Sequence, residues 1–368
     1  MTPRERVLTA FAHREPDRVP LDYQANPEID LAMKRHHRLD DDDSEGLAEA
    51  LGIDFRGCWP AYTGPPLHHA SEGMHVNEWG ARTRWIAHSA GGYWDLCQFP
   101  LAGSLSQDQV DHWPMPSPDD YSYVGGWTAG SRLRGELLEY CEAHPNFPIV
   151  FGGAGVGCII NRIGQIRGMP DALCDVATEN PIGLRLIDRM QDVDLEVVQR
   201  SLAMVGNKVQ IFCMGEDLGA QRGPIISPEA YRRVLKPRHK RFIDEAKRYG
   251  LLVMFHCCGA SSWAFDDLAD MGVDIIDTLQ PEAAGMDPAH LKRTYGHKLS
   301  FHGMMSTAGV LAFGTAQQVR DEVKRILDIM MPGGGFALAP THLIQSNSPV
   351  DNVLALYDAA REFGCYAR

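Results

Sequence analysis

The sequence predicts a soluble, single-domain (β/α)8 barrel of TIM type, in the α/β class, with an elaborated amino-terminal region. From residue 148 onward, short apolar runs alternate with longer segments of helical period, which is the pattern of β/α units on a parallel sheet. A length of 368 residues is sufficient for one such barrel. No internal repeat, low-complexity tract or linker divides the chain, so we expect residues 1–368 to form one domain.

Apolar runs place the predicted strands, and helices fill the gaps between them. Leu186, Met190 and Val197 line one helical face, and Ser227 and Ser348 each precede a proline as predicted N-caps. The six strands predicted in this part of the chain span residues 149–153, 209–214, 251–256, 273–278, 299–303 and 336–339.

The amino-terminal third is less regular. We predict a helix over residues 3–13, a strand over 19–23 and a solvated loop or helix start at the acidic run 40–43. Four tryptophans lie among many Gly and Pro residues farther on, which favours β-hairpins and long loops. Residues 60–125 are therefore interpreted as a lid or hairpin insertion.

Composition limits the function classes. Thirty-five Lys and Arg against 48 Asp and Glu give a formal charge of -13, which argues against nucleic acid and anionic membranes as partners. An apolar run long enough for a membrane span or a signal peptide is absent from the sequence, so we expect a cytoplasmic protein. Nine scattered cysteines indicate reduced thiols rather than a disulfide framework. The oligomeric state stays open, a homodimer included.

The strongest chemical signal is at the end of the strand over 251–256. Side chains alternate along a strand, so His256 and Cys258 point to one side and Cys257 to the other. Because carboxyl ends of barrel strands form the active-site face, this imidazole and thiolate are half of a candidate zinc site. The other interpretation is a His and a Cys that pack in the core.

Two further histidines terminate predicted strands. His342 follows the last strand and is our candidate for the third zinc ligand, because barrel closure brings that end near the earlier strand ends. His302 ends the strand over 299–303 and is a candidate catalytic residue. Either histidine could instead hydrogen-bond a substrate or the backbone.

Polar residues also follow the strand over 209–214. Glu216 and Asp217 are candidate catalytic carboxylates that could move a proton or complete a metal shell. Gln221 and Arg222 add candidate substrate-binding groups. The simplest alternative is an exposed loop that caps the next helix.

Several blocks then carry a family resemblance. In order along the chain they are MTPRERVL (1–8), HREPDRVP (13–20), GEDLGAQRGP (215–224), HCCG (256–259), SFHG (300–303), PGGGF (332–336) and APTH (339–342). These blocks resemble the uroporphyrinogen decarboxylase-like superfamily over nearly the whole chain, which implies a single (β/α)8 barrel.

Two chemistries occur in that superfamily. True uroporphyrinogen decarboxylases carry an arginine-rich segment near the amino terminus that grips the porphyrinogen carboxylates, whereas here LDYQANPE follows Pro20 and the next arginine is Arg35. The other branch contains zinc-dependent methyltransferases that work with corrinoid proteins and bind zinc through a His-x-Cys motif and a later cysteine. His256 and Cys258 match that motif, and His342 stands in place of the later cysteine.

The resemblance therefore implies a zinc-dependent methyltransferase or demethylase. It would exchange a methyl group between a small O- or N-methylated compound and a corrinoid supplied by a partner protein or free in solution. A neutral imidazole in place of a thiolate makes the site one charge more positive, which favours oxygen donors. Tyr93 and Trp94 are candidates for covering the substrate and excluding water. The alternatives are a metal-free decarboxylase or lyase acting on a small carboxylic acid, and a binding protein that retains the barrel.

Overall fold

The computed structural model describes residues 1–88, 91–122 and 137–366. The strands within these ranges are β1 (Arg56–Cys58), β2 (Ala61–Tyr62), β3 (Met74–Val76), β4 (Arg82–His88), β5 (Gly91–Gln98), β6 (Tyr121–Ser122), β7 (Ile149–Gly152), β8 (Ile211–Gly215), β9 (Leu252–Cys257), β10 (Ile275–Thr278), β11 (Ser300–Met305) and β12 (Phe336–Pro340).

The helices surround this strand set. They are α1 (Pro3–Phe11), α2 (Pro27–His36), α3 (Ser44–Leu51), α4 (Gln107–His112), α5 (Leu137–Ala143), α6 (Ile160–Arg167), α7 (Met169–Ala177), α8 (Pro181–Val205), α9 (Pro228–Ala230), α10 (Lys236–Arg248), α11 (Phe265–Met271), α12 (Pro288–Tyr295), α13 (Val310–Phe313), α14 (Ala316–Met330) and α15 (Val350–Phe363). None of the helices in the described ranges is long and apolar enough to cross a membrane.

One parallel sheet forms the wall of a TIM-type barrel. Its strand order is β1-β7-β8-β9-β10-β11-β12, and every neighbouring pair in that order is parallel. The predicted strands over 149–339 are confirmed, with ends shifted by one or two residues. Strand β1 was not predicted from the sequence, because Arg56 and Gly57 interrupt the apolar pattern.

The eighth position of the wall is filled by residues 19–25. Leu21 forms a parallel bridge to Leu338 of β12, and the backbone N–H of Asp54 donates to the Leu21 carbonyl at 2.9 Å. This closes the barrel at a seam between β12 and β1. The strand predicted over 19–23 is wrong as a regular strand, because Pro20 has no N–H to donate and the Asp54 carboxylate accepts the Leu21 N–H at 2.9 Å.

Helix α1 closes the amino-terminal end of the barrel interior. Val7 and Phe11 of this helix pack in one buried cluster with Phe55, Val150 and Met254 from the barrel wall. The helix begins with a capping box between Thr2 and Glu5 and ends at Phe11, two residues before the predicted end. Because α1 closes this end of the barrel, the carboxyl ends of the strands are the end that is free to form a site.

The predicted insertion over 60–125 forms two small antiparallel sheets. Strands β3, β4 and β5 make one sheet, and β2 and β6 make the other. Residues 89–90 and 123–125 of the predicted range lie outside the described residues. The assignment of this insertion as a lid stays a prediction.

Candidate metal centre

Four barrel segments place alternating acidic and imidazole side chains in one row. Asp277 of β10 is the lateral partner of His256 in β9 and of His302 in β11. Asp22 follows Leu21 at the seam, on the far side of His302. We call Asp22, His302, Asp277 and His256 the acid–base row. It lies across the barrel interior near the carboxyl ends of the strands.

Hydrogen bonds join every neighbour in the acid–base row. Asp277 Oδ2 is 2.6 Å from His256 Nδ1, and Asp277 Oδ1 is 2.6 Å from His302 Nδ1. His302 Nε2 is 3.1 Å from Asp22 Oδ2. Burial disfavours the charged imidazole, but the hydrogen bonds to Asp22 and Asp277 prevail and raise the pKa of His302 to about 10.

Hydrogen bonds also determine the pKa of His256, which lies at the end of the acid–base row. Burial opposes charge on His256, yet the hydrogen bonds from Asp277 and Cys258 raise the pKa of its imidazole well above its usual range. Burial would raise the pKa of Asp277, but the two histidines hold it well below the ordinary value for a carboxyl group. A carboxylate on Nδ1 fixes His256 in the orientation that turns Nε2 toward Cys258.

Three potential metal ligands meet beside this row. Ligand atoms of Asp217, His256 and Cys258 lie within 4.8 Å of one another, and all three side chains are partly buried. His256 Nε2 is 3.4 Å from Cys258 Sγ. A nitrogen and a sulfur on one tetrahedral zinc ion are about 3.5 Å apart, so this spacing fits a shared ion. Three protein ligands with a fourth position open are typical of catalytic zinc.

Two hydrogen-bond donors orient the Asp217 carboxylate. The backbone N–H of Cys258 donates to Asp217 Oδ1 at 3.0 Å, and Asn161 Nδ2 donates to Asp217 Oδ2 at 2.7 Å. Each oxygen retains a free lone pair, because a carboxylate oxygen can accept more than one contact. The carboxylate is thus oriented in advance rather than free to rotate.

Backbone strain accompanies the site at the end of β10. Thr278 is β-branched and has a φ of 91°, a region that such residues rarely adopt. Its Oγ1 lies 2.8 Å from His256 Nδ1. Conformations of this kind persist only where the surrounding structure enforces them, and they cluster at functional sites.

The three potential metal ligands, Asp217, His256 and Cys258, are called the three donors below. They lie between two halves of an open pocket. One half has a volume of about 430 Å³ and is lined by Asp217 and His256, together with Asn77, Glu78 and Trp79 from the turn between β3 and β4. The other half has a volume of about 480 Å³ and includes Cys258, Gln280, Thr307, Phe313 and Gln345. The β3–β4 turn therefore forms part of the wall above the donors.

His342 lies in the walls of both halves. Its Nδ1 is 3.5 Å from Gln345 Nε2, and it is not among the three donors that lie within 4.8 Å of one another. The structure thus brings Asp217, rather than His342, to His256 and Cys258. The assignment of His342 as a metal ligand stays a prediction.

Glu216 is directed away from this pocket. Its carboxylate is 1% exposed and accepts hydrogen bonds from the backbone N–H groups of Ile159 at 2.6 Å and Ile160 at 3.2 Å. These donors are at the start of α6, whose orphan N–H groups need acceptors. His239 Nε2 lies 3.5 Å from the same carboxylate. This geometry gives Glu216 a capping contact, and its predicted catalytic role gains no support.

The other predicted residues lie farther from the donors. His302 is 2% exposed within the acid–base row and does not line either half of the pocket. Gln221 reaches the rim through reciprocal contacts with Gln280 at 3.3 and 3.4 Å. Arg222 is exposed and lines neither half. It is therefore not placed to hold a substrate beside the donors.

Tyr93 and Trp94 do not line the pocket either. They lie on β5 and are 51% and 53% exposed, with the Trp94 ring 5.6 Å from that of Trp85. Their predicted role as a cover over the substrate stays a prediction. Trp79 lies on the pocket wall instead, under the Arg162 guanidinium at 4.7 Å from the ring centroid.

Four residues of the site were not predicted from the sequence: Asp22, Asn161, Arg162 and Asp277. Asp22 and Asp277 are next to last in the predicted strands over 19–23 and 273–278, as His302 is in the strand over 299–303, so the signal that singled out His302 applied to them as well. Asn161 and Arg162 lie at the start of α6, and nothing in their local pattern distinguishes them. Arg162 is paired with Asp194 at 3.1 Å, which compensates its charge at the pocket wall.

Comparisons with known proteins agree with this architecture. The profile of the uroporphyrinogen decarboxylase (URO-D) family matches residues 163–363. A methylcobamide:CoM methyltransferase, MtaA of Methanosarcina barkeri, is 25% identical over 179 residues, or 48% of this chain and 49% of the relative. The same enzyme from strain Fusaro is 24% identical over the same length. The match thus spans about half the length of these distant curated relatives.

A solved structure extends the likeness to the whole fold. A methyltransferase from Methanosarcina mazei superposes with a TM-score of 0.63 at 19% identity, and 99% of each chain is covered. At that identity the match shows a shared fold only. The family profile covers more than half of the chain, in the part that carries β8 to β12 and all three donors. The chain therefore belongs to the uroporphyrinogen decarboxylase family.

Proposed function

We propose that this protein transfers a methyl group between a corrinoid and a small O- or N-methylated compound at a zinc ion held by Asp217, His256 and Cys258. The observation that carries the proposal is the meeting of these three donors at the carboxyl ends of β8 and β9. Nitrogen, sulfur and oxygen donors in this combination are the ligands that zinc takes in proteins. The wide pocket around them leaves room for two reactants.

The relatives support the reaction class. The curated relatives are named for methyl transfer between methylcobamide and CoM, and the solved structure with the same fold is also a methyltransferase. We infer that the corrinoid reaches this chain on a partner protein or free in solution. The small-molecule partner is a separate assignment, which depends on the charge of the donor set.

With Asp217 rather than His342 as the third ligand, the net charge of the zinc site differs from the one expected from the sequence. Two anionic ligands, Asp217 and Cys258, would bring the charge of the zinc site to zero, whereas His342 in place of Asp217 would leave it at plus one. A carboxylate is a harder donor than a thiolate, so a site with one thiolate still favours an oxygen or nitrogen substrate atom over sulfur. We therefore retain an O- or N-methylated compound as the proposed reactant.

Zinc, when bound, would supply a Lewis acid that lowers the pKa of a substrate heteroatom or stabilises it as a leaving group. The residues of the chain prepare the site for this. Asp277 orients His256, and Asn161 with the Cys258 N–H orients Asp217. His342 lies on the wall shared by both pocket halves and would contact a reactant beside the donors.

Elemental analysis and a transfer assay test the proposal together. Purified protein is expected to bind about one zinc per chain and to demethylate one or more methoxylated or N-methylated compounds in the presence of reduced cobalamin. A His256→Ala, Cys258→Ala double variant should lose both zinc and transfer. Cys257→Ala is the matched control, because the Cys257 side chain is fully buried on the opposite side of β9.

Two results would contradict the proposal. Stoichiometric zinc in the double variant would place the metal elsewhere. A chain that binds no zinc and releases carbon dioxide from small carboxylic acids would instead support the decarboxylase alternative. Circular dichroism of each variant separates loss of the site from loss of the fold.

A further inference from the structure

A second cavity lies on the other side of the acid–base row. It extends from the barrel interior through the gap between residues 22–24 and β1 to helix α3, and its volume is about 150 Å³. Protein interiors are close-packed, with few voids larger than a water molecule. Apolar side chains form most of its wall: Leu47, Ala48, Ile53, Phe55, Val150 and Met254.

The charged groups of this wall are mainly acidic. Its carboxylates are Asp22, Asp30, Asp42, Asp43, Glu45 and Asp277, and its cationic side chains are Arg56 and the protonated His302. Glu45 is paired with Arg56 at 2.5 Å, and Asp30 with the buried Lys34 at 2.8 Å. Asp42 is exposed and forms no ion pair within the described ranges. Negative charge therefore exceeds positive charge around the cavity.

A buried hydroxyl with incomplete hydrogen bonding also borders the cavity. Tyr23 is 6% exposed, and its Oη has no partner of regular hydrogen-bond geometry within the described parts of the chain, although burial and the neighbouring Asp30 carboxylate raise the pKa of the hydroxyl. Buried polar groups are nearly always fully hydrogen-bonded in native proteins, so a hydroxyl oxygen left without a donor in a cavity wall indicates a place for a water or a ligand N–H. This hydroxyl could accept a hydrogen bond from a ligand N–H.

We propose that the cavity binds a small organic cation, namely a protonated amine with a short apolar chain. The apolar wall would take the chain, and Tyr23 and the surrounding carboxylates would take the ammonium group. Phe55 and Tyr140 also line the cavity, and aromatic rings are favourable neighbours for cations. Asp277 and His302 lie between this cavity and the three metal ligands, so the proposal does not depend on the proposed function.

Calorimetric titration with a charged and a neutral probe of equal length tests this proposal. Butylammonium, which is protonated at pH 7 like a lysine side chain, is expected to bind at least tenfold more tightly than 1-butanol. A chelator is present throughout, so that the amine cannot bind through zinc. Cys258→Ala should retain binding, which separates this site from the metal centre.

Matched variants locate the bound probe. Asp42→Asn should weaken butylammonium at least threefold and leave 1-butanol unchanged, whereas Asp40→Asn, outside the cavity wall, should change neither. Ala48→Leu fills the cavity from α3 and should abolish binding of both probes. Ala50→Leu on the exposed side of α3 is its control. If Ala48→Leu unfolds the protein, Tyr23→Phe removes only the hydroxyl and should weaken butylammonium at least threefold.

Each other outcome overturns the proposal. Equal affinity for the two probes would mean an apolar cavity without preference for a cation. No binding of butylammonium at millimolar concentration would mean that the cavity holds only water. Binding that is unchanged in folded Ala48→Leu would place the cation elsewhere on the protein.

Discussion

Asp277→Asn tests the acid–base row most directly. The carboxylate of Asp277 accepts from His256 and from His302, each at 2.6 Å. An asparagine side chain has one acceptor oxygen and one donor nitrogen, so it can accept from only one of the two imidazoles. The other histidine then faces an N–H group and must lose its Nδ1 proton or turn away.

The expected effect on metal binding follows from this geometry. Outer partners of metal-ligating histidines contribute roughly 10- to 100-fold in metal affinity, which corresponds to about 1.4–2.7 kcal/mol. Asp277→Asn should therefore weaken zinc binding by that factor. It should also lower the free energy of unfolding by roughly 1.5–3 kcal/mol, because one buried charge-assisted hydrogen bond is lost.

Competition with a chromophoric chelator measures the zinc affinity, and urea denaturation of the zinc-free protein measures stability. Asp270→Asn, at an exposed position of α11, is the matched control and should change neither quantity. A folded Asp277→Asn protein that binds zinc within twofold of the parent would refute the reasoning. In that case His256 would not be a ligand oriented through Nδ1.

Three further predictions concern single residues. Asp217→Ala should weaken zinc binding by orders of magnitude, as measured by equilibrium dialysis. His342→Ala should leave zinc binding unchanged and slow methyl transfer. Loss of zinc from His342→Ala but not from Asp217→Ala would restore His342 as the third ligand. Cys257→Ser should keep zinc and activity at a stability cost of roughly 1–3 kcal/mol for burying a hydroxyl, measured by urea denaturation; loss of zinc would contradict this. The pKa of His302 rises from 6.5 unfolded to about 10 folded, so its stabilisation is complete below pH 6.5 and is lost as the pH rises through 10. Zinc-free protein should lose up to roughly 5 kcal/mol over that interval, and His302→Gln should flatten the profile; an unchanged slope would be the contrary result.

The residue pattern within single segments was sufficient to predict the strands and the pairing of His256 with Cys258. Apolar runs located β7 to β12, because buried parallel strands are apolar on both faces. The two-residue period of a strand placed His256 and Cys258 on one side, and the 3.4 Å contact between them agrees. These features depend only on the conformation of one segment.

The rest of the site depends on lateral register between strands, which no single segment encodes. Asp277 becomes the partner of two histidines only because β9, β10 and β11 align at that residue. His342 was predicted as a ligand from its place after β12, and this assignment stays a prediction, because proximity of strand ends does not fix how far each side chain reaches. Asp217 reaches the pair because the Cys258 N–H and Asn161 hold its carboxylate there.

The seam between residues 19–25 and β12 also constrains biosynthesis. Leu21 and Leu338 pair directly, although almost the whole barrel sequence separates them. The barrel therefore cannot close on the ribosome until β12 has been made, and until then the edge of residues 19–25 that faces β12 has no partner. Open strand edges are templates for association between chains. Arg6 and Arg18, paired with Asp54 at 2.6 and 2.7 Å, would hold the early segment next to β1 during synthesis, so that the edge of β1 is covered while the outer edge of residues 19–25 waits for β12.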